Sequence, residues 1–158
     1  MINCILSYIF DFIMENLFVT ATNLYALRAI KLAFEQQKYL ECGVLSCATI
    51  ASIVYHLSET KHSMKSLCFK NSTRITLNMD RFFALASVLV FLFKYNKMIK
   101  NKEIIFYGIT SLVAQMLSES QHLISFSPST EKTLYLITHP IWHIGAFHIA
   151  YLLLKYSV

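Results

Sequence analysis

Long apolar stretches separated by short polar connectors are the main pattern of this sequence. A helix needs about 20 apolar residues to cross the hydrocarbon core of a bilayer. By that measure five stretches are candidate membrane spans, and they cover residues 9–33, 40–57, 77–93, 104–117 and 133–154. The pattern therefore predicts an all-α fold, a polytopic transmembrane helix bundle of about five spans.

The composition supports this fold class and excludes several others. Of the 158 residues, 56% are hydrophobic and only 15% are charged, and the mean hydropathy is +0.50. Three Gly and two Pro leave little turn chemistry for a many-stranded sandwich or barrel. We expect a single transmembrane helical domain over residues 1–158, in an integral, multi-pass membrane protein.

The charge distribution bears on partners and orientation. The net charge is +5, but the basic residues form short clusters between apolar runs, which is typical of loops beside membrane spans and not of a nucleic-acid groove. With five spans, eight of the 14 basic residues lie on one side, which the positive-inside rule favours as cytoplasmic. The expected partners are membrane lipids and no nucleic acid, and a homo-oligomer would complete so small a bundle.

Four ionisable side chains lie inside the predicted spans or at their ends. His56 lies at the end of the second span, Asp80 at the start of the third, and His139 and His143 in the fifth. Ionisable residues inside a bilayer are costly and often mark functional sites. With five alternating spans, all four enter the membrane from the same side. Their convergence is the strongest functional indication in the sequence.

The spacing of these residues predicts a zinc site. His139 and His143 are four residues apart, so both imidazoles lie on one helix face, and His56 is the natural third ligand. Three neutral imidazoles leave the fourth position of zinc open, as in catalytic sites. Ser52 lies one turn before His56, and Asp80 would orient or deprotonate a water, or hydrogen-bond a ligand imidazole. Ser52 and Asp80 are therefore the candidate catalytic residues.

Each of these residues also has a structural interpretation when it is considered alone. His56 would then be an interfacial residue at a span end. Asp80 would be an acid in the first helical turn, favoured by the helix dipole. Ser52 would hydrogen-bond the backbone carbonyl one turn earlier. The convergence of all of them on one side of the membrane favours the metal site.

The other histidines are not predicted ligands. His148 lies five residues after His143, which is roughly 140° around the helix. It therefore faces away from the proposed site. His62 and His122 fall in polar connectors, where a surface position is expected.

The polar motifs resemble those of the CREST superfamily of membrane hydrolases, and most closely its myomaker-like branch. The resemblance covers residues 19–95 and 131–155. It depends on Tyr39-Leu40-Glu41, Ser52-Ile53-Val54-Tyr55-His56, Leu67-Cys68-Phe69, Asp80 before Phe82-Phe83, and Tyr135 with His139-Pro140-Ile141-Trp142-His143. The superfamily includes alkaline ceramidases and adiponectin-type receptors. Its SxxxH, D and HxxxH motifs occur in the same order here.

The resemblance implies zinc on the three histidines and hydrolysis of a lipid amide or ester, as in a ceramidase or phospholipase. It also implies an alternative, a non-enzymatic myomaker-like protein for membrane remodelling or fusion. A receptor-like or truncated relative without chemistry is a third interpretation. Members usually have seven spans, so this chain resembles a shortened version of that bundle. Pro140 cannot donate to the carbonyl of Leu136, and a kink or a helix start is expected there.

Overall fold

The computed structural model describes residues 15–60, 66–119 and 126–157. The helices are α1 (Glu15–Glu35), α2 (Tyr39–Ser58), α3 (Thr73–Tyr95), α4 (Lys102–Glu119) and α5 (Pro128–Lys155). A 3₁₀ turn at Asn23–Tyr25 lies within α1, and further 3₁₀ turns at Lys70–Ser72 and Met98–Lys100 precede α3 and α4. No strand occurs in these three described stretches, so the predicted all-α class is confirmed.

Each predicted span coincides with one of the five helices, apart from residues 9–14, which lie outside the described residues. The agreement is closest for α2, which extends one residue beyond the predicted range at each end. Among the described helices, α1, α2 and α3 are long and apolar enough to cross a membrane. The helical content of the described part of all five stretches is therefore confirmed, and crossing of the membrane by α4 and α5 stays a prediction.

Helix α5 is the longest helix and carries two of the candidate ligands. It begins with Pro128 after the N-cap Ser127, whose side chain accepts a hydrogen bond from the backbone N–H of Thr130 at 3.3 Å. The helix continues through Pro140 to Lys155. Of the two alternatives expected at Pro140, the helix start is therefore wrong, because packing against the neighbouring helices offsets the loss of one backbone hydrogen bond. The kink stays a prediction.

Helix α1 packs between α2 and α5. Ala26, Ala29 and Ala33 are fully buried along one face of α1. Small side chains let membrane helices approach closely. A second close approach joins α4 to α5, since a Cβ built on Gly145 would overlap Ser111 Oγ.

The apolar core lies at one end of the bundle, towards the C-terminal end of α1. It takes buried residues from all five helices: Ala29, Ala33, Leu45, Phe91, Tyr95, Ile104, Ala150, Leu152, Leu153 and Leu154. Beside this core the Glu41 carboxylate is 1% exposed and accepts hydrogen bonds from Lys94 Nζ at 2.9 and 3.0 Å and from the Tyr95 hydroxyl at 2.7 Å. The opposite end of the bundle contains the candidate site.

Candidate metal centre

The three predicted ligands come together in the bundle interior. His56 lies in the last turn of α2, while His139 and His143 lie one turn apart on α5. They are 0%, 5% and 5% exposed, respectively. One nitrogen from each imidazole lies within 4.8 Å of the other two, an arrangement that could hold a metal ion.

One pair of donor nitrogens has the separation expected in a tetrahedral zinc site. With zinc–nitrogen bonds of 2.0–2.1 Å, ligand nitrogens of a tetrahedral site stand about 3.4 Å apart. The Nε2 atoms of His56 and His143 are separated by 3.4 Å. The ring centre of His139 lies 4.9 Å from that of His56 and 4.6 Å from that of His143. Imidazole is a ligand for zinc, copper, iron and nickel, so the donor set fits zinc without identifying it.

A buried carboxylate that the sequence analysis did not select holds His56. Glu59 is 1% exposed, and its Oε2 lies 2.9 Å from His56 Nδ1. The carboxylate also accepts hydrogen bonds from the hydroxyls of Tyr55 at 2.8 Å and Tyr135 at 2.6 Å. Asn16 on α1 donates to the backbone carbonyl of His56 at 3.0 Å. Glu59 therefore orients a candidate ligand imidazole. The sequence analysis gave this role to Asp80 as one alternative.

The charge of Glu59 follows from two opposing effects. Burial raises the pKa of its carboxyl, but its interactions with His56, Tyr135 and Tyr55 lower it more. The net pKa lies below its ordinary value, so the carboxylate is ionised at neutral pH. An acid three residues after a candidate ligand was the signal in the sequence that would have found it.

The other two histidines are held by hydroxyl groups from α1 and α4. His143 Nδ1 lies 3.1 Å from Thr22 Oγ1, and His139 Nδ1 lies 3.3 Å from Ser118 Oγ. Thr22 and Ser118 are 121 and 21 residues from their partners in sequence. No local spacing pattern could have identified them, because the contacts arise from helix packing.

The two predicted catalytic residues form a pair beside the histidines. Ser52 lies one turn before His56 on α2 and is 5% exposed. Its side chain is a hydrogen-bond partner of Asp80 on α3, and His56 is a further electrostatic partner of Asp80. The arrangement places a hydroxyl and a carboxylate next to the candidate metal ligands.

The remaining histidines do not join the cluster. His148 Nδ1 lies 3.0 Å from the Tyr25 hydroxyl, and its ring centre is 4.4 Å from that of Tyr107. This position agrees with the helical phase that separates His148 from the other two histidines of α5. His62 and His122 lie outside the described residues.

An apolar cavity lies between α2 and α3. Its volume is about 160 Å³, and it is lined by Cys47, Ile50, Ala51, Val54, Thr76, Met79 and Phe83. Thr76 and Phe83 lie four residues before and three residues after Asp80, so they share its face of α3. The cavity therefore lies along the stretch of α3 that carries Asp80.

The fold and the site together define an all-helical bundle with a buried cluster of three histidines. Three helices of this bundle are long and apolar enough to cross a membrane. The chain belongs to the family described as "Protein of unknown function (DUF3522)", which it matches over residues 11–128. This range includes His56 and Asp80 and ends before His139 and His143. An uncharacterized protein of Acanthamoeba polyphaga mimivirus is 31% identical over 152 residues, which cover 90% of this chain and 97% of the relative. No solved structure matches the chain.

Proposed function

We propose that this chain is a zinc-dependent intramembrane hydrolase of a lipid amide or ester. The observation that carries the proposal is the buried cluster of His56, His139 and His143 beside the Ser52–Asp80 pair. The order of these five residues also resembles the motifs of the CREST membrane hydrolases. Both lines of support point to the same residues.

The donor set is suited to catalytic zinc. Catalytic zinc sites commonly have three protein ligands, whereas closed structural sites have four. A zinc ion held by His56, His139 and His143 supplies a Lewis acid that polarises a carbonyl and lowers the pKa of water to about 7. Glu59 orients His56 and partly offsets the charge of the ion.

The Ser52–Asp80 pair supplies the proton transfers of hydrolysis. Asp80 takes a proton from the attacking water, whose oxygen forms a bond to the carbonyl carbon. The carbon–nitrogen or carbon–oxygen bond then breaks, and Asp80 returns the proton to the leaving amine or alcohol. The Ser52 hydroxyl turns from Asp80 to donate a hydrogen bond to the oxyanion that develops on the carbonyl oxygen.

Two features support a lipid as the substrate. The site lies in the last turn of α2, a helix long and apolar enough to cross a membrane, so in a bilayer it would lie near the boundary at which the polar linkages of lipids meet the acyl chains. The apolar cavity of about 160 Å³ along the Asp80 stretch of α3 is similar in size to an apolar protein cavity of about 150 Å³ that binds benzene. It would therefore accept a short piece of an acyl chain.

The experiment measures metal content and hydrolysis on the same detergent-purified protein. Elemental analysis should find zinc, and mass spectrometry should detect fatty acid released from a panel of ceramides and phospholipids. Asp80→Asn and Ser52→Ala should retain zinc and lose most of the release. A parent protein that is fully loaded with zinc but releases no fatty acid from any lipid in the panel would overturn the proposal.

A non-enzymatic, myomaker-like role in membrane remodelling or fusion is the second candidate. The observation that favours it is the extent of the hydrogen-bond network, which joins the cluster to α1 through Thr22 and to α4 through Ser118. A polar network of this kind would hold the helices together without chemistry. In that case Asp80→Asn and Ser52→Ala should lower the melting temperature and the metal content together, and the parent should release no fatty acid.

On this proposal the chain crosses the membrane five times. Helices α1 and α5 run parallel and adjacent, as the contacts from Thr22 to His143 and from Arg28 to Tyr151 indicate. Helix α4 runs antiparallel to α5 along the same depth, from Ser118 beside His139. If α1 spans the bilayer, α5 beside it and α4 beside α5 therefore span it as well.

The topology is testable by thiol labelling of single cysteines introduced into a cysteine-free variant. Lys100→Cys should be labelled from the cytoplasmic side and Lys65→Cys from the opposite side, because the basic residues at 94–102 favour the cytoplasm. Labelling of both positions from one side would contradict five spans.

A further inference from the structure

We propose that the surface around Arg28 and Tyr151 binds the phosphate of an anionic phospholipid from the surrounding bilayer. This surface lies towards the C-terminal end of α1, whereas the histidine cluster lies towards the opposite end of the bundle. The proposal does not depend on hydrolysis or on a bound metal. It requires only that α1, which is long and apolar enough to cross a membrane, lies in a bilayer.

The guanidinium of Arg28 is held in one orientation on the surface of the bundle. Its Cζ lies 4.0 Å from the centre of the Tyr151 ring, and its Nη2 donates to the Tyr151 hydroxyl at 3.1 Å. The Tyr25 hydroxyl is a further hydrogen-bond partner of Arg28. The planar fork of an arginine matches the geometry of a phosphate. Because these contacts already orient the fork, little freedom is lost when it binds one.

Aromatic side chains from three helices support this arginine. His148 on α5 bonds the Tyr25 hydroxyl on α1 through Nδ1 at 3.0 Å, and its ring packs edge-on against Tyr107 on α4. The Tyr151 ring is stacked on the other side of this group, with its centre 6.0 Å from that of His148. Tyrosines are enriched where a protein meets the headgroup level of a bilayer. The surroundings of Arg28 are therefore typical of a membrane interface.

Arg28 carries a charge that no acid of the protein balances within the described residues. The acids near this end have other partners, since Glu35 pairs with Lys31 at 3.7 Å and Glu103 accepts a hydrogen bond from the Tyr156 hydroxyl. Arg28 lies seven residues before the end of α1, which is about 10 Å along the helix. An unpaired charge at such a depth is costly in a bilayer, and a long side chain lowers the cost by reaching the headgroups. A lipid phosphate supplies the missing anion there.

Exposed apolar side chains lie on the side of Arg28 that faces the middle of the bilayer. Leu24 is one turn before Arg28 on α1 and is 53% exposed, and Ile144 is two turns before Tyr151 on α5 and is 41% exposed. Residues at these spacings share a helix face. A cation above an apolar surface matches a phospholipid, whose phosphate lies above its acyl chains. A free phosphate would not use the apolar part of this surface.

The charge of this end of the bundle favours an anionic lipid over a zwitterionic one. Lys31, Lys102 and Lys155 are exposed at the ends of α1, α4 and α5 that lie closest to Arg28 in sequence or across the bundle. Basic residues near a membrane surface attract anionic lipids. The positive-inside rule also favours this end as cytoplasmic, and anionic lipids are characteristic of the cytoplasmic leaflet.

The experiment uses native mass spectrometry to measure lipid binding to the full chain in detergent. The probes are ether-linked phosphatidylglycerol and phosphatidylcholine with the same chains, which ester or amide hydrolysis cannot consume. The parent should bind phosphatidylglycerol more tightly. Arg28→Gln should lower that affinity about 5-fold or more, as expected for the loss of one basic residue near a membrane surface. Arg74→Gln is the matched control, because Arg74 is also exposed but lies in the first turn of α3, at the other end of the bundle.

Several outcomes would overturn the proposal. They are equal binding of the two lipids by the parent, parent-like affinity in Arg28→Gln, and an equal loss in Arg74→Gln, which would indicate a general attraction to a basic chain. Displacement of phosphatidylglycerol by millimolar inorganic phosphate would assign the surface to free phosphate and not to a lipid. Should Arg28→Gln fail to fold, Arg28→Lys takes its place and should also bind more weakly, because lysine keeps the charge but not the planar fork. No readout depends on hydrolysis, so failure of the proposed reaction leaves all of them interpretable.

Discussion

Helix α2 carries a buried polar cluster at each end, and the two clusters differ in how their polar groups are arranged. Near its start, Glu41 accepts hydrogen bonds from Lys94 and Tyr95, so that its charge is matched by a neighbouring cation. About 22 Å further along the helix, His56 meets two other imidazoles, and its Nε2 lies 3.4 Å from that of His143. The first cluster satisfies its own polar atoms, whereas the second directs several donor nitrogens to one point.

This difference separates a structural polar cluster from a functional one. Both clusters place ionisable groups in an apolar bundle, where such groups are costly. The Glu41 cluster joins α2 to α3, and Lys38, whose ammonium bonds the Ser157 hydroxyl, joins the start of α2 to the C-terminal end of the chain. It is complete without a ligand. The histidine cluster instead brings one nitrogen from each of three imidazoles within 4.8 Å of the other two, an arrangement that could hold a metal ion.

The largest expected effect is the loss of metal when a ligand is removed. His56→Ala, His139→Ala and His143→Ala should each lose zinc, because two imidazoles cannot hold the ion in a buried site that needs three or more ligands. His148→Ala is the matched control, since His148 lies on the same helix but bonds Tyr25. Elemental analysis measures zinc per chain in each variant, and equal zinc content in all four variants would contradict the site.

The next largest effect concerns turnover without loss of metal. Asp80→Asn should lower lipid hydrolysis about 100–10,000-fold because it removes the proton acceptor. Ser52→Ala should lower it about 100–1,000-fold because it removes a donor to the oxyanion. Both variants should keep zinc, since neither residue is a ligand. Rates of fatty-acid release are measured beside zinc content, and a parallel loss of zinc would assign the pair to structure.

The sequence could predict those parts of the site that depend on local spacing. The apolar run over 40–57 is bounded by charged residues, so the limits of α2 were within one residue of Tyr39–Ser58. The four-residue spacing of His139 and His143 fixed their common face. Thr22 and Ser118 depend instead on how α1 and α4 pack laterally, which no pattern within one helix encodes. Glu59 was overlooked because it follows the end of the apolar run, where a solvated acid is the ordinary interpretation.

A smaller effect is expected at Glu59, the carboxylate of the histidine cluster, which is compared here with Glu41 of the other cluster. Glu59→Gln retains an acceptor for His56 Nδ1 but removes the negative charge. Zinc affinity should therefore fall about 10–100-fold, the usual cost of changing a group that orients a metal ligand. Competition against a chelator of known affinity measures the change. The matched control is Glu41→Gln, which should leave zinc affinity unchanged, and an equal loss in both variants would indicate a general effect on the bundle.

The smallest expected effect is at the other cluster and should leave the metal site untouched. Lys94→Met removes the cation that faces Glu41, and the Lys94 side chain is 46% exposed while that of Glu41 is 2% exposed. The loss of stability should be about 1 kcal/mol, between the value of an exposed ion pair and the cost of an unsatisfied buried acceptor. The double variant with Glu41→Leu and Lys94→Met should recover stability, because no unpaired charge is then buried. Unfolding in detergent gives the stability, and zinc content should equal that of the parent in both variants. A fall in zinc content would mean that the two ends of α2 are coupled and that the Glu41 cluster also supports the metal site.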